Sequence, residues 1–350
     1  MTSTTTAWAA SSPEAALAPM TITRRAVGPR DVKIKIEFCG ICHSDLHVAR
    51  NEWHHTVYPA VPGHEIVGRV IEAGAEVRKY AVGDRVGVGC LVDSCGQCAE
   101  CNEGLENYCT GGALMTYNSV DPTGVAPRTY GGYSGEVVVT ERFVVRVPDG
   151  LDPASAAPIL CAGVTTFSPL RHWKAGPGSK VAVAGFGGLG GMAVKLARAM
   201  GAQVSVISRS DAKTAQALAA GASEVIVVSD SAAMAAAARS FDLILSTIPK
   251  THDLNPYLGL LKRDGSYVLL GAIEPLTTPV HGGLLIGRRV NISGSVIGGL
   301  PETQEVLDFC AEHHISADVQ VIGVDGINAA YDHLATGDPG FRYVIDMSTL

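Results

Sequence analysis

The sequence predicts an α/β protein in two parts, a β-rich domain and a doubly wound parallel sheet. Three observations point there. In the first half, short apolar runs alternate with polar residues and are divided by Gly, Pro and Asp. After about Gly163 the strands become continuously apolar and take turns with Ala-rich helical stretches. One of those strands runs straight into Gly185-Phe186-Gly187-Gly188-Leu189-Gly190 at the head of a helix.

The opening stretch, MTSTTTAWAASSPEAALAP, has neither a basic start nor a continuous apolar core, so it is not expected to be a secretory signal and reads as a short flexible lead-in. Residues 32–38, VKIKIEF, alternate strictly, which is the period of a strand with one buried face. IVGRVIEAG after Glu65 and EVVVTERFVVRV from Glu136 continue in the same grammar. The uncharged interval 153–170 carries three prolines and a cysteine, so it reads as buried loop and helix start, not as a membrane span. Beyond it, VAVAG from Val181, VSVIS from Val204, EVIVVS from Glu224, LILST from Leu243 and YVLLGA from Tyr267 are strands of the kind buried on both faces. Helical stretches at 189–200, 212–220 and 232–239 separate them, the alternation of a doubly wound sheet. The tail holds a helix candidate, ETQEVLDFCAEH, and a closing strand, FRYVIDM, both expected to return to the first domain. Residues 1–160 and 297–350 are thus assigned to a β-rich catalytic domain and 161–296 to a nucleotide domain.

A chain of 350 residues, 47% of them hydrophobic, has material for about two domains. With 27 basic and 34 acidic residues the net charge is −7, and no basic run suggests nucleic acid. The expectation is a soluble, cytoplasmic protein with a small-molecule partner and no membrane or nucleic-acid association. Nine cysteines make an odd count, and without an export signal metal ligation is the better reading than a disulfide framework.

Cys95, Cys98, Cys101 and Cys109 form a C-x2-C-x2-C-x7-C run that can close a tetrahedral shell by itself, as a structural metal site does. An iron–sulfur cluster is the alternative, but the bacterial ferredoxin pattern closes with x3-C-P, whereas here Thr110 follows Cys109 after a gap of seven; zinc is favoured. Cys42, His64 and Cys161 come from distant segments and leave a fourth position for water or substrate, the logic of a catalytic site. Cys39, Cys90 and Cys310 sit among apolar neighbours and are expected to be inert core residues.

The glycines at 185, 187, 188 and 190, with Leu189, allow a tight turn and close approach of a pyrophosphate to a helix N-terminus, where unpaired N–H groups favour an anion. The strand before and the helix after are the context that makes this weak motif a dinucleotide site. At the end of the next strand, where an NAD site places an acid, the chain reads Ser208-Arg209-Ser210, with Lys213 a turn later. A guanidinium and hydroxyls suit a 2′-phosphate, so NADP(H) is expected over NAD(H).

Together GICHSDLH, PGHEIVGRV, VGVGCLVDSCGQCAECNEGLENYC, GGYS, LCAGVTTFSPLRHW, GFGGLG and IGGLPETQEVLDFCAEH resemble the zinc-containing medium-chain alcohol dehydrogenases. Within them, the likeness is to the cinnamyl alcohol dehydrogenase branch and its bacterial NADP-dependent aldehyde reductases. The resemblance implies a GroES-like catalytic domain with a structural zinc lobe at about 90–118, a Rossmann nucleotide domain, two zinc ions per chain, and a homodimer. It also implies that Cys42, His64 and Cys161 bind catalytic zinc, that Glu65 can approach the metal, and that Asp45 holds the ligand histidine. Ser44 and His47 match a proton relay through the cofactor ribose, while His43 and Thr165 match cofactor contacts. Trp53, Leu91, Met115 and Ile297 match the substrate pocket. The plant enzymes' large aromatic residue near the end of the lobe is replaced here by Leu114 or Met115, which favours broad aldehyde reduction over strict cinnamyl specificity.

The implied chemistry is hydride transfer between NADP(H) and an aldehyde/primary alcohol pair, with zinc polarising the carbonyl oxygen. A zinc-free quinone or enone reductase of the same fold lacks the Cys42, His64 and Cys161 set. An iron–sulfur electron-transfer protein would be coloured, and a non-catalytic nucleotide sensor would leave the relay unexplained.

Overall fold

A computed structural model describes residues 1–271, 274–337 and 339–350. They form two compact units, Met1–Cys161 with Gly298–Leu350, and Ala162–Ile297.

The first unit begins with β1 (Ser3–Ala9) and β2 (Ala18–Arg24), paired antiparallel. The expectation of a flexible lead-in is therefore corrected. Trp8 N–H donates to Tyr133 O at 2.8 Å, Ala10 and Ala60 exchange two bonds at 2.9 Å, and Ala7 is fully buried. β-branched Thr suits a pleated, half-buried surface, so this Thr-rich start pairs as a strand.

β3 (Asp31–Gly40) is the long central strand, with Val32, Ile34 and Ile36 buried and Lys35 outward. It pairs antiparallel with β4 (Ile66–Ala73), which pairs with β5 (Arg85–Val88). β6 (Leu91–Asp93) and β7 (Leu114–Met115) pair at the base of the cysteine lobe. EVVVTERFVVRV splits into β8 (Glu136–Thr140) and β9 (Val145–Arg146) around a 3-10 turn, Glu141–Phe143. The break has a cause: the Glu141 carboxylate accepts the Arg78 and Lys79 N–H groups at 2.9 Å, and Phe143 is fully buried.

The second unit is a parallel sheet of β10 (Lys180–Ala184), β11 (Gln203–Ser208), β12 (Glu224–Val227), β13 (Phe241–Ser246), β14 (Leu261–Leu269) and β15 (Asn291–Gly294). The order is β12-β11-β10-β13-β14-β15, so the winding reverses between β10 and β13, the switch point at whose C-terminal strand ends sheets of this kind bind their ligands. Helices Gly188–Ala199, Thr214–Ala219 and Ser231–Ala236 connect the first four strands. β14 starts six positions before the YVLLGA run, and β15 lacks a long enough apolar run to be marked from sequence.

The chain returns to the first unit through helix Leu300–Glu312, then β16 (Val319–Ile322) and β17 (Arg342–Asp346). β17 pairs antiparallel with β3, opposite β4, which completes a seven-stranded sheet. Interval 153–170 is helical and buried, as helix Pro153–Ala156, a 3-10 turn and helix Ala162–His172. Among the described residues no helix is long and apolar enough to cross a membrane.

Candidate active site and metal centres

Helix His43–Ala49 starts directly after Cys42. Asp45, fully buried, accepts the Cys42 N–H at 2.7 Å, the Gly63 N–H at 3.0 Å and the Tyr133 hydroxyl at 3.3 Å. One carboxylate thus braces the two segments that carry Cys42 and His64. Its reach to the imidazole is longer, 3.5 Å from Oδ1 to His64 Nδ1, and the Tyr117 hydroxyl is closer at 3.0 Å. Tyr117 was missed from sequence; a tyrosine after a cysteine lobe carries no distinguishing pattern.

His64 Nε2 faces Cys161 Sγ at 3.2 Å, and Cys42 Sγ lies 3.9 Å from Cys161 Sγ. With a Glu65 oxygen, these ligand atoms all lie within 4.8 Å of one another. A tetrahedral site with Zn–S near 2.3 Å separates its sulfurs by about 3.8 Å, so the spacing suits zinc. Glu65 is fully buried and its Oε1 pairs with Arg342, while its Oε2 and Arg342 Nε have no hydrogen-bond partner. Burial pushes the Glu65 carboxyl up to about 7 against the pull of Arg342. An orphaned buried carboxylate oxygen beside two thiols and an imidazole is a donor set that fits a cation. The hydrogen bond from Cys161 holds Cys42 well below the usual thiol range, against the opposing effect of burial, and Cys161 is raised in turn. Cys90, expected from sequence to be inert, is buried, and the neighbouring Cys161 thiol holds it below the usual thiol range.

Ser44 Oγ lies 3.7 Å from Cys42 Sγ. His47, three residues on, is partly exposed and its Nδ1 pairs with the Glu52 carboxylate, another residue unmarked from sequence. The His43 and Trp53 rings lie 6.2 and 5.2 Å from the His47 ring. Trp53 packs on Val48, Ala60 and Tyr117, and stands parallel to His55 at 6.0 Å. Leu91, buried, is paired across the β6–β7 ladder with the exposed Met115. Ile297 closes the second unit with φ +39°.

In the lobe, Cys95 and Cys101 sulfurs are 3.9 Å apart, as are those of Cys98 and Cys109, and the Cys95 N–H donates to Cys109 Sγ at 3.4 Å. All four ligand atoms lie within 4.8 Å, again the scale of a tetrahedral ZnS4 shell. Backbone N–H groups of Gln97 and Cys98 hold the Cys95 thiol down at about 6, which favours the ligating thiolate.

In the second unit the glycine turn leaves β10 as the sequence suggests. Gly185 sits at φ +91°, and a Cβ on Gly190 would come within 2.4 Å of Gly185 O, so neither position tolerates a side chain. Gly187 caps the helix that opens with Gly188 and Leu189. The Thr247 hydroxyl donates to Ala184 and Gly185 carbonyls at 3.1 and 3.2 Å, a brace not foreseen. Ser208 ends β11, Arg209 and Ser210 follow exposed, and Lys213 Nζ donates to Phe186 O at 3.2 Å, which links this cationic corner to the turn. Thr165 lies buried in helix Ala162–His172.

The family described as "Alcohol dehydrogenase GroES-like domain" matches residues 28–149, and "Zinc-binding dehydrogenase" matches 188–312. The chain is 55% identical to NADP-dependent alcohol dehydrogenase C 1 of Mycolicibacterium smegmatis, over 99% of each, and 56% identical to aldehyde reductase YahK of Escherichia coli, over 95% of each. Among solved structures it is similar to a Sorghum bicolor cinnamyl alcohol dehydrogenase (43% identity, TM-score 0.94, 99% and 98% covered). It is similar, too, to the Helicobacter pylori enzyme complexed with NADP(H) (42%, 0.92, 99% of each). Whole-length identity of this order, over a Rossmann-type sheet and a GroES-like unit carrying both cysteine clusters, makes the chain an oxidoreductase of the zinc-containing medium-chain alcohol dehydrogenase family, in its cinnamyl alcohol dehydrogenase-like branch.

Proposed function

We propose that the protein is a zinc-dependent aldehyde reductase working between NADP(H) and an aldehyde/primary alcohol pair, with aromatic and medium aliphatic aldehydes as its substrate class. The observation that carries this is the Cys42–His64–Cys161 set, with Cys42 and His64 buried and the unpartnered Glu65 oxygen beside it. The NADP-dependent and aldehyde-reducing names of relatives above 50% identity support it.

When bound, zinc supplies Lewis acidity toward a carbonyl oxygen and NADPH supplies a hydride. The chain's own groups do the rest. Cys42, His64 and Cys161 hold the metal, and Asp45 and Tyr117 fix the His64 ring so that Nε2 is the ligating atom. Ser44 donates the proton that the product oxygen takes up. His47, held at Nδ1 by Glu52, keeps Nε2 for exchange with solvent. The turn at Gly185–Gly190 receives the pyrophosphate, with Thr165 of the same unit as a further coenzyme contact. Ser208, Arg209, Ser210 and Lys213 hold the 2′-phosphate. Within the first unit, Trp53, Leu91 and Met115 give an apolar substrate lining.

An aldehyde panel assayed with NADPH and with NADH, with metal analysis of the same sample, tests the reading. Arg209→Asp is expected to move the ratio of kcat/KM values toward NADH by roughly tenfold or more. An unchanged ratio would remove the 2′-phosphate assignment. The protein is further inferred to act as a homodimer, supported by β15 at the end of its sheet and the exposed Ile286 before it; light scattering tests this.

A further inference from the structure

The cysteine lobe has a charge problem that its own segment does not solve. Between Arg85 and Arg128 the chain has no Lys or Arg, while Asp93, Glu100, Glu103, Glu106 and Asp121 all fall inside that stretch. Four thiolates around a dication add a formal charge of roughly −2 at its centre. The guanidinium that reaches the lobe comes from outside, from Arg142 in the 3-10 turn between β8 and β9.

Arg142 Nη2 donates to Ser94 Oγ at 2.5 Å, and Ser94 Oγ lies 3.2 Å from Cys101 Sγ. Nη1 lies against the Gly96 backbone so closely that a Cβ there would sit 2.2 Å from it. The buried Phe143 ring, 5.0 Å from the guanidinium carbon, backs the side chain. Three contacts therefore fix where this cation points.

The direction of the chain of hydrogen bonds follows from chemistry. Guanidinium can only donate, so Ser94 Oγ accepts from it, and the hydroxyl's single proton is left for the sulfur. A thiolate that accepts this bond is held in one orientation, and losing such a partner behind a metal ligand typically costs about 10–100-fold in metal affinity.

We propose that Arg142, acting through Ser94, is a positioning residue for the structural metal, and that it makes Cys101 the sulfur at which metal loss is controlled. The inference rests on the reading of the lobe as a zinc site. The test uses the full-length enzyme with its native metal. Metal release to excess 4-(2-pyridylazo)resorcinol is followed by colour, and iodoacetamide labelling is located by mass spectrometry to tell the lobe's cysteines from Cys42 and Cys161.

Arg142→Gln and Ser94→Ala are each expected to speed release from the lobe about tenfold or more, with Cys101 labelled first. The double variant should match the faster single one, because both changes cut the same chain. Arg142→Lys, which keeps the charge and loses the fork, falls between wild type and Arg142→Gln. Wild-type release rates in both single variants overturn the inference, as do additive effects in the double. Should Arg142→Gln fail to fold, Ser94→Ala alone decides, since it removes only a hydroxyl. A wild-type lobe without zinc overturns the metal reading itself, before any variant is compared.

Discussion

The lobe draws Cys95, Cys98, Cys101 and Cys109 from one stretch of chain, whereas the Cys42–His64–Cys161 cluster spans ligands as far as 119 residues apart. Three of the lobe's four thiols are exposed or partly exposed, and the contacts among them run between near neighbours such as Cys95 and Cys109. Around the other cluster nearly every polar contact is long-range: Asp45 to Gly63, His64 to Tyr117, Glu65 to Arg342. On the proposed reading the difference teaches that the lobe is ordered by its metal, while the other site is built by the whole unit and receives a metal as chemistry. Closing a short local shell contributes folding free energy to a loop; a preformed buried cluster contributes reactivity.

The sharpest way to break this comparison is Cys42→Ala. Turnover is expected to fall to background while circular dichroism and NADPH binding stay near wild type; turnover surviving in a metal-verified variant would end the catalytic half of the argument. Next in size is Arg342→Met, which strands Glu65 as an unpaired buried carboxylate. About 3–5 kcal/mol of unfolding free energy is expected to go, measured by urea titration, with most of it restored by adding Glu65→Gln. A loss no larger than that of a surface substitution would mean the Cys42–His64–Cys161 site is not held by its long-range pairs.

Cys98→Ser probes the other half. Protease nicking is expected to concentrate within the lobe, with about 1–3 kcal/mol lost overall. Cleavage spread evenly along the chain would show that the lobe is not a local unit. The smallest effect belongs to Glu52→Ala, since both partners of the His47 pair are partly exposed. Turnover is expected to drop roughly two- to fivefold with KM unchanged, by steady-state kinetics; a change in KM alone would take Glu52 out of the relay.

Much of this was legible because residue type and period carry it. VKIKIEF announces β3 by alternation, Gly185 and Gly190 announce the turn by positions that a Cβ cannot occupy, and eight-residue stretches such as GICHSDLH bring ligand and relay residues together in sequence. Tyr117, Glu52, Thr247 and Arg342 were not legible, for a common reason. Each is an ordinary residue given its part by a contact formed only after folding, as far as 277 residues away for Arg342 and Glu65. The amino-terminal hairpin was hidden differently. Its strand is secured by backbone bonds to Tyr133 and Ala60, which no local pattern of Thr and Ala can foretell.

The discontinuity of the first unit has a consequence during synthesis. A ribosome that has released the chain only as far as Ile297 has delivered all six cysteines of the two clusters, His64, Glu65 and the complete nucleotide-binding unit, yet neither β17 nor Arg342. Until those last residues emerge, β3 lacks one of its neighbours and the acid beside Cys42 and Cys161 lacks its counter-charge. The unit with the parallel sheet can mature early, and the unit that carries both cysteine clusters is finished last.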